Sequence, residues 1–278
     1  MMALKTVSRL SEKVHRTPPE RNAIDYNILI IGGSDEPDSF WKGRFKYKNH
    51  CIDGCFEESL TGASYLSRDG KPKTLYKCGH YSGDSLYPPD TRLAAEWSIN
   101  ALTEFKECNI ETRTLESILR ETAFCLLKID VQGAELDVLN GDPNWRDRFV
   151  AVELECDIVE FYKGAPKFGE KIHFMQSHGY NPYAIERIER WRDCGVQHGR
   201  GRVVSTNILY VREPNSDDEK IQLIGALNLY SLYNEISSIQ GGKYRPLLGN
   251  VIPFRETIGN LIIQIGRSVM KKGFWLIS

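Results

Sequence analysis

Asp130 closes a mostly apolar run, residues 124–129, that only Lys128 interrupts, and Val131-Gln132-Gly133 follows it. A carboxylate at the end of a buried strand costs free energy to desolvate, so its position points to use. A proton acceptor is the use its chemistry suits best. Three further acids lie downstream: Glu135, Glu153 and Glu155. Glu153 ends a second apolar run, 149–154, so the strand order predicts that it meets Asp130 at one rim. Two close carboxyls raise one pKa and supply a general base, or hold a hard cation through oxygen. Glu135 reads equally well as favourable charge at a helix N-terminus. Glu155 reads as an acid of the following loop. His80 shares residues 79–91 with Ser82, Asp84 and Ser85, and is the remaining candidate for proton transfer. A solvated loop histidine is its commoner role.

A second group of residues suits binding. Residues 27–31 read as a strand, apolar from Ile28 on, that turns at Gly32-Gly33-Ser34, where a ligand can approach the backbone closely. Glu57 follows about 25 residues later, near the end of a predicted second strand, where an acid accepts hydrogen bonds from a ribose diol. The bland alternative is a surface glutamate. Other chemistries lack their signatures. The turn is not GxGxxG, so a nicotinamide oxidoreductase is disfavoured. No HExxH or HxH occurs and the seven cysteines form no CxxC pair, so a histidine- or cysteine-based metal site is not expected, and without GxSxG a serine hydrolase is disfavoured. The stretch 187–202 gathers arginines around Trp191 and suits an anionic or sugar-like ligand or a solvated loop.

The elements that hold these residues alternate. Strands are expected at 27–31, 51–56, 124–130, 149–154, 183–185 and 207–211. Helices are expected at 40–48, 134–139 and 167–178. An Asp69-Gly70 turn between 65–67 and 72–78 reads as a hairpin, and residues 112–119 as a strand end leading into a helix. The alternation predicts an α/β, doubly wound, mostly parallel sheet. Ligands bind such sheets beyond the carboxyl ends of the strands. Residues 1–25 form a lead-in and 26–213 the main domain. Residues 214–278 form a helical C-terminal extension, with one apolar stripe through Ile221, Ile224, Leu227 and Leu229 and another through Ile258, Leu261 and Ile265.

A net charge of −1 gives no field toward nucleic acid. Residues 1–21 lack a signal-peptide core, and no window carries the roughly 18 apolar residues of a membrane span. The expectation is a cytoplasmic protein with free, mostly buried thiols and no stable membrane insertion. The apolar tail allows a homo-oligomer.

Residues 127–136, with Val138-Leu139, resemble the most specific run of the FkbM-type methyltransferases. Phe56-Glu57 resembles that family's strand-two ending, and residues 66–70 its third strand and turn. Residues 82–90 resemble its serine-rich loop, and 112–119 the segment feeding its central strand. Val152-Glu153 and residues 207–211 fit its later strands. The resemblance covers about residues 26–213. It implies a Rossmann-like, seven-stranded sheet with the last strand antiparallel, and S-adenosyl-L-methionine bound over strands one and two. It assigns Gly32, Gly33, Ser34, Glu57, Ser67, Ser85 and Asp130 to the cofactor, with Gly32 at its amino-acid end and Glu57 at its ribose. Asp130 would lie near the transferable methyl as first choice of base, with His80 or Glu153 second. The function expected is O-methylation of a hydroxyl on a saccharide or small metabolite. The alternative is a degenerate methyltransferase fold serving as a binding or assembly module.

Overall fold

The structure is a computed structural model that describes residues 26–32, 47–52, 65–119, 124–191, 201–230, 232, 235, 236 and 239. The chain divides into two compact units, Met1–Leu232 and Tyr233–Ser278. The sheet and its crevice belong to the first unit.

At the centre of that unit is strand β1 (Tyr26–Ile31), whose Ile28, Leu29, Ile30 and Ile31 are all buried. A strand apolar on both faces belongs inside a parallel sheet. It pairs in parallel with β2 (Tyr47–Ile52) on one side and β7 (Leu126–Ile129) on the other. Strand β8 (Ala151–Asp157) pairs in parallel with β7. Strand β10 (Arg202–Val211) runs antiparallel to β8 and to the edge strand β9 (Asn181–Trp191). The order is β2-β1-β7-β8-β10-β9, so β10 alone opposes the other five.

One face of this sheet packs Leu29, Leu127, Ile129, Val152 and Leu154 against α2 (Leu115–Ile118), α3 (Glu135–Leu139), α4 (Trp145–Arg148) and α5 (Phe168–Ser177). Side chains alternate along a strand, so Lys128 and Glu153 face the opposite layer. There α6 (Asp217–Leu229) packs against β7.

Two short pairs flank the sheet. Strand β3 (Tyr65–Leu66) lies parallel to β6 (Thr112–Arg113), and β4 (Lys73–Cys78) antiparallel to β5 (Phe105–Ile110). The segment between β4 and β5 carries α1 (Thr91–Glu96). It forms a small core of its own, in which Ala94, Ile99 and Leu102 meet Val159, Phe161 and Tyr162 from the chain just after β8.

Several expectations are corrected. The main sheet has six strands among the described residues, not seven, because the expected third strand pairs with β6 instead of joining it. The Asp69-Gly70 turn forms, with Gly70 at φ +63°, but β3 and β4 do not pair, so no hairpin results. Strand β2 begins at Tyr47, inside the helix expected over 40–48, and residues 53–56 of the expected strand lie outside the described residues. Strand β8 runs on to Asp157, which puts Glu153 within it rather than at its end. In place of a separate helical extension, α6 is a layer of the sheet domain. It buries Leu223, Ala226, Leu227 and Leu229, while Ile221 of the expected stripe is 54% exposed. Residues 258–269 lie outside the described residues.

Candidate functional site

The chain leaves β1 toward β2 on one side and later returns to β7 on the other. That reversal opens a crevice at the carboxyl ends of β1 and β7, where open α/β sheets bind ligands. A cavity of about 820 Å³ lies there.

Gly32 forms one lip. It holds φ +75°, and a Cβ on it would stand 1.9 Å from the backbone oxygen of Asp130. No side chain fits, so the first turn presses its bare backbone against the second. That second turn is clamped from below by Glu135. One Glu135 carboxylate oxygen accepts the N–H groups of Gly133 (3.0 Å) and Val131 (3.3 Å). The other pairs with the fully buried ammonium of Lys171 at 2.7 Å.

Between Asp130 and Gly133 the chain adopts an uncommon conformation. Gln132 sits at φ +52°, in the left-handed region that non-glycine residues seldom occupy. Its contacts explain how the conformation is held. The Gln132 amide nitrogen donates to Asp130 and to Glu155, each at 2.9 Å. Its amide oxygen takes the Tyr162 hydroxyl at 3.2 Å, and its backbone oxygen takes the Ser85 hydroxyl at 2.7 Å. The Tyr162 hydroxyl also reaches the Gly83 carbonyl at 3.0 Å. Strain so over-determined is typical of functional positions.

The floor is acidic. Asp130, Glu155 and Asp157 all line the cavity. Burial, and then the negative charge of Asp130, push the Glu155 carboxyl well above its ordinary range. Burial also pushes Asp157 up to about 6, against the opposing pull of Lys171 at 3.2 Å. Burial works against the charge of Lys171, but Glu135 and Asp157 together hold it protonated. The walls come from residues 81–86 and from 187–190 of β9. Asp84 is anchored there by the Cys78 N–H at 2.8 Å, and burial raises its carboxyl.

Asp130, Gly32 and Ser85 of the expected site meet at this cavity. Gly33, Ser34 and Glu57 lie outside the described residues. Three candidates are elsewhere. His80 is exposed at the start of the loop, where its Nδ1 meets the Ser82 hydroxyl at 2.7 Å. Ser67 is buried in its own turn and bonded to Thr112 at 2.6 Å. Glu153 is buried beneath α6 with Lys128 (2.8 Å), Asn207 (2.7 Å) and the Tyr230 hydroxyl. Lys128 stands directly opposite Glu153 in the register, whereas Glu155 and Asp157 project beyond the end of β7 into the crevice.

Sequence reasoning passed over Gln132, Tyr162, Asp157 and Lys171. The period-two spacing of Glu153, Glu155 and Asp157 was a usable signal for three acids on one strand face. Nothing local marks Lys171, a lone cation in an ordinary helix. Among the described residues, no group of three His, Cys, Asp or Glu side chains is set to hold a metal ion. Nor is any helix long and apolar enough to cross a membrane.

Residues 56–182 match the family described as Methyltransferase FkbM domain. No curated protein and no solved structure matches the chain. The matched stretch contains the Asp130 turn, β8 and the loop over the cavity, so the resemblance noted in the sequence holds and supports a methyltransferase.

Proposed function

We propose, from the premise that residues 56–182 are an FkbM methyltransferase domain, that the chain transfers a methyl group from S-adenosylmethionine to a hydroxyl of a sugar or small metabolite. One observation carries the reading. An acid-floored cavity opens at the switch point of the sheet, with a side-chain-free lip at Gly32. Its volume lies in the range of small-molecule sites. The carboxyls of Asp130, Glu155 and Asp157 suit a ligand that carries positive charge, as a sulfonium does. When bound, that donor supplies an electrophilic methyl carbon.

The protein's own part is alignment and proton handling. Gly32 lets the backbone approach the ligand. Glu135 and Lys171 hold the Asp130 turn in place, and Gln132 ties Asp130 to Glu155. Asp130, the expected base, lines the cavity, whereas the His80 ring does not. Ser85 and Tyr162 lock the loop and the turn to each other.

The test is calorimetry with S-adenosylhomocysteine, followed by transfer of labelled methyl to a panel of sugars and hydroxylated metabolites. Micromolar binding and label in a hydroxyl-bearing acceptor are expected. No heat at millimolar ligand would overturn the proposal and leave the binding-module reading in its place.

A further inference from the structure

Among the described residues, the floor of the cavity holds more negative charge than the cations around it balance. Asp130 and Glu155 both take a hydrogen bond from the Gln132 amide nitrogen, at 2.9 Å each, so one shared donor holds the two carboxyls side by side. Two full negative charges held that close repel each other strongly in a partly desolvated cavity. Among the described residues, Lys171 gives the pair little relief. Lys171 reaches only the backbone oxygen of Glu155, and its ion pairs go to Glu135 and Asp157. Across the cavity, Arg187 pairs with Glu189, and Arg190 donates to the Gly201 carbonyl. Asp84, on the loop, adds another negative charge. A carboxyl pair in that setting lowers its energy by keeping one proton between its members.

A cation entering the cavity changes the balance, because it repays the pair for ionising fully. We infer that Asp130 and Glu155 act as a charge-matched proton store, which gives up one proton when a cationic ligand enters and takes one back when the ligand's charge is lost. The inference rests on the donor proposed above. In methyl transfer to a hydroxyl, the O–C bond forms as the C–S bond breaks. The electron pair of that bond stays on sulfur, which becomes neutral, and the hydroxyl proton passes to the carboxylate pair. The cavity thus ends at the net charge with which it began. The raised Glu155 carboxyl agrees with a stored proton before the cation arrives.

The test compares two ligands of similar shape in the full chain by calorimetry, each in two buffers of different ionisation enthalpy. Sinefungin carries a protonated amine where the donor has its sulfonium, and S-adenosylhomocysteine has an uncharged sulfur there. Release of close to one proton is expected with sinefungin at neutral pH, and close to none with S-adenosylhomocysteine. Sinefungin affinity should rise by up to about tenfold per pH unit while the pair still holds its proton. Glu155→Gln, which keeps the shape and cannot ionise, should bind sinefungin without release and with that pH dependence flattened. Equal proton counts for the two ligands in the native chain would overturn the inference while leaving the donor reading intact. So would persistent release in Glu155→Gln. Failure of both ligands to bind would remove the donor reading, and the proton store with it.

Discussion

Glu153 and Glu155 are two residues apart on the same strand face, yet they do different things. Glu153 lies opposite Lys128 and is covered by α6, so its charge is matched and closed off. Glu155 projects past the last residue of β7 and has an amide and another acid for company. Its raised carboxyl has a consequence for stability. An acid whose folded pKa lies above its ordinary 4.5 favours folding below that value, and this contribution is lost as pH rises toward the folded value. At pH 8 the native chain therefore carries a penalty that Glu155→Gln does not. That variant should be more stable than the native chain at pH 8, by on the order of 1 kcal/mol, and no more stable near pH 4. Denaturant melts at both pH values measure this, and an equal difference at both would refute it. Such a trade of stability for a charged cavity is expected where a site needs ionisable groups.

Helix α6 shows how an element can be legible and still be misassigned. Its start is written locally, because the Ser216 side chain caps it by accepting the Glu219 N–H at 3.1 Å. Its role is not. Glu219 also holds the buried Arg212, the residue following β10, through two hydrogen bonds of 2.9 and 2.6 Å. This bidentate pair ties the helix to the sheet, and Arg212 in turn donates to the Arg146 carbonyl at 2.9 Å. Glu219→Ala leaves a buried guanidinium without its carboxylate, a loss of about 3 kcal/mol. Glu219→Gln, which keeps one acceptor, should lose less. Thermal unfolding of the two variants checks the order, and equal losses would refute the role given to the retained acceptor. The Asp69-Gly70 turn teaches the same lesson. Its local hydrogen bonds, the Gly70 N–H to Ser67 at 3.1 Å and the Lys71 N–H to Asp69 at 3.2 Å, form as the sequence suggests. Which strands then pair is settled by distant partners, Thr112 for one and the segment 105–110 for the other.

For the molecule as a whole, the compact unit that holds the sheet runs to Leu232 and includes α6. A chain ending at Leu232 should unfold cooperatively and keep ligand binding. One ending at Glu213 removes Leu223, Ala226 and Leu227, all fully buried, together with the Tyr230 contact to Glu153, and should not reach a stable fold. Circular dichroism melts of the two truncations decide this, and a stable shorter chain would restore 214–278 as an appendage. Much of the architecture could be read in the residue order, because strand runs, helix caps and turn glycines are short-range signals. The apolar run into Asp130, the glycine turn after β1, the acids spaced by two along β8 and the helix starting at Glu135 are of this kind. The working interior of the site could not be read in that way. Gln132 meets Glu155 across 23 residues and Tyr162 across 30, and Lys171 reaches back 16 to Glu155. Partners so far apart carry no mutual signal along the chain. They are chosen only when the sheet closes, where β7 stops short of β8 and a buried charge must find whatever counterpart the packing brings to it.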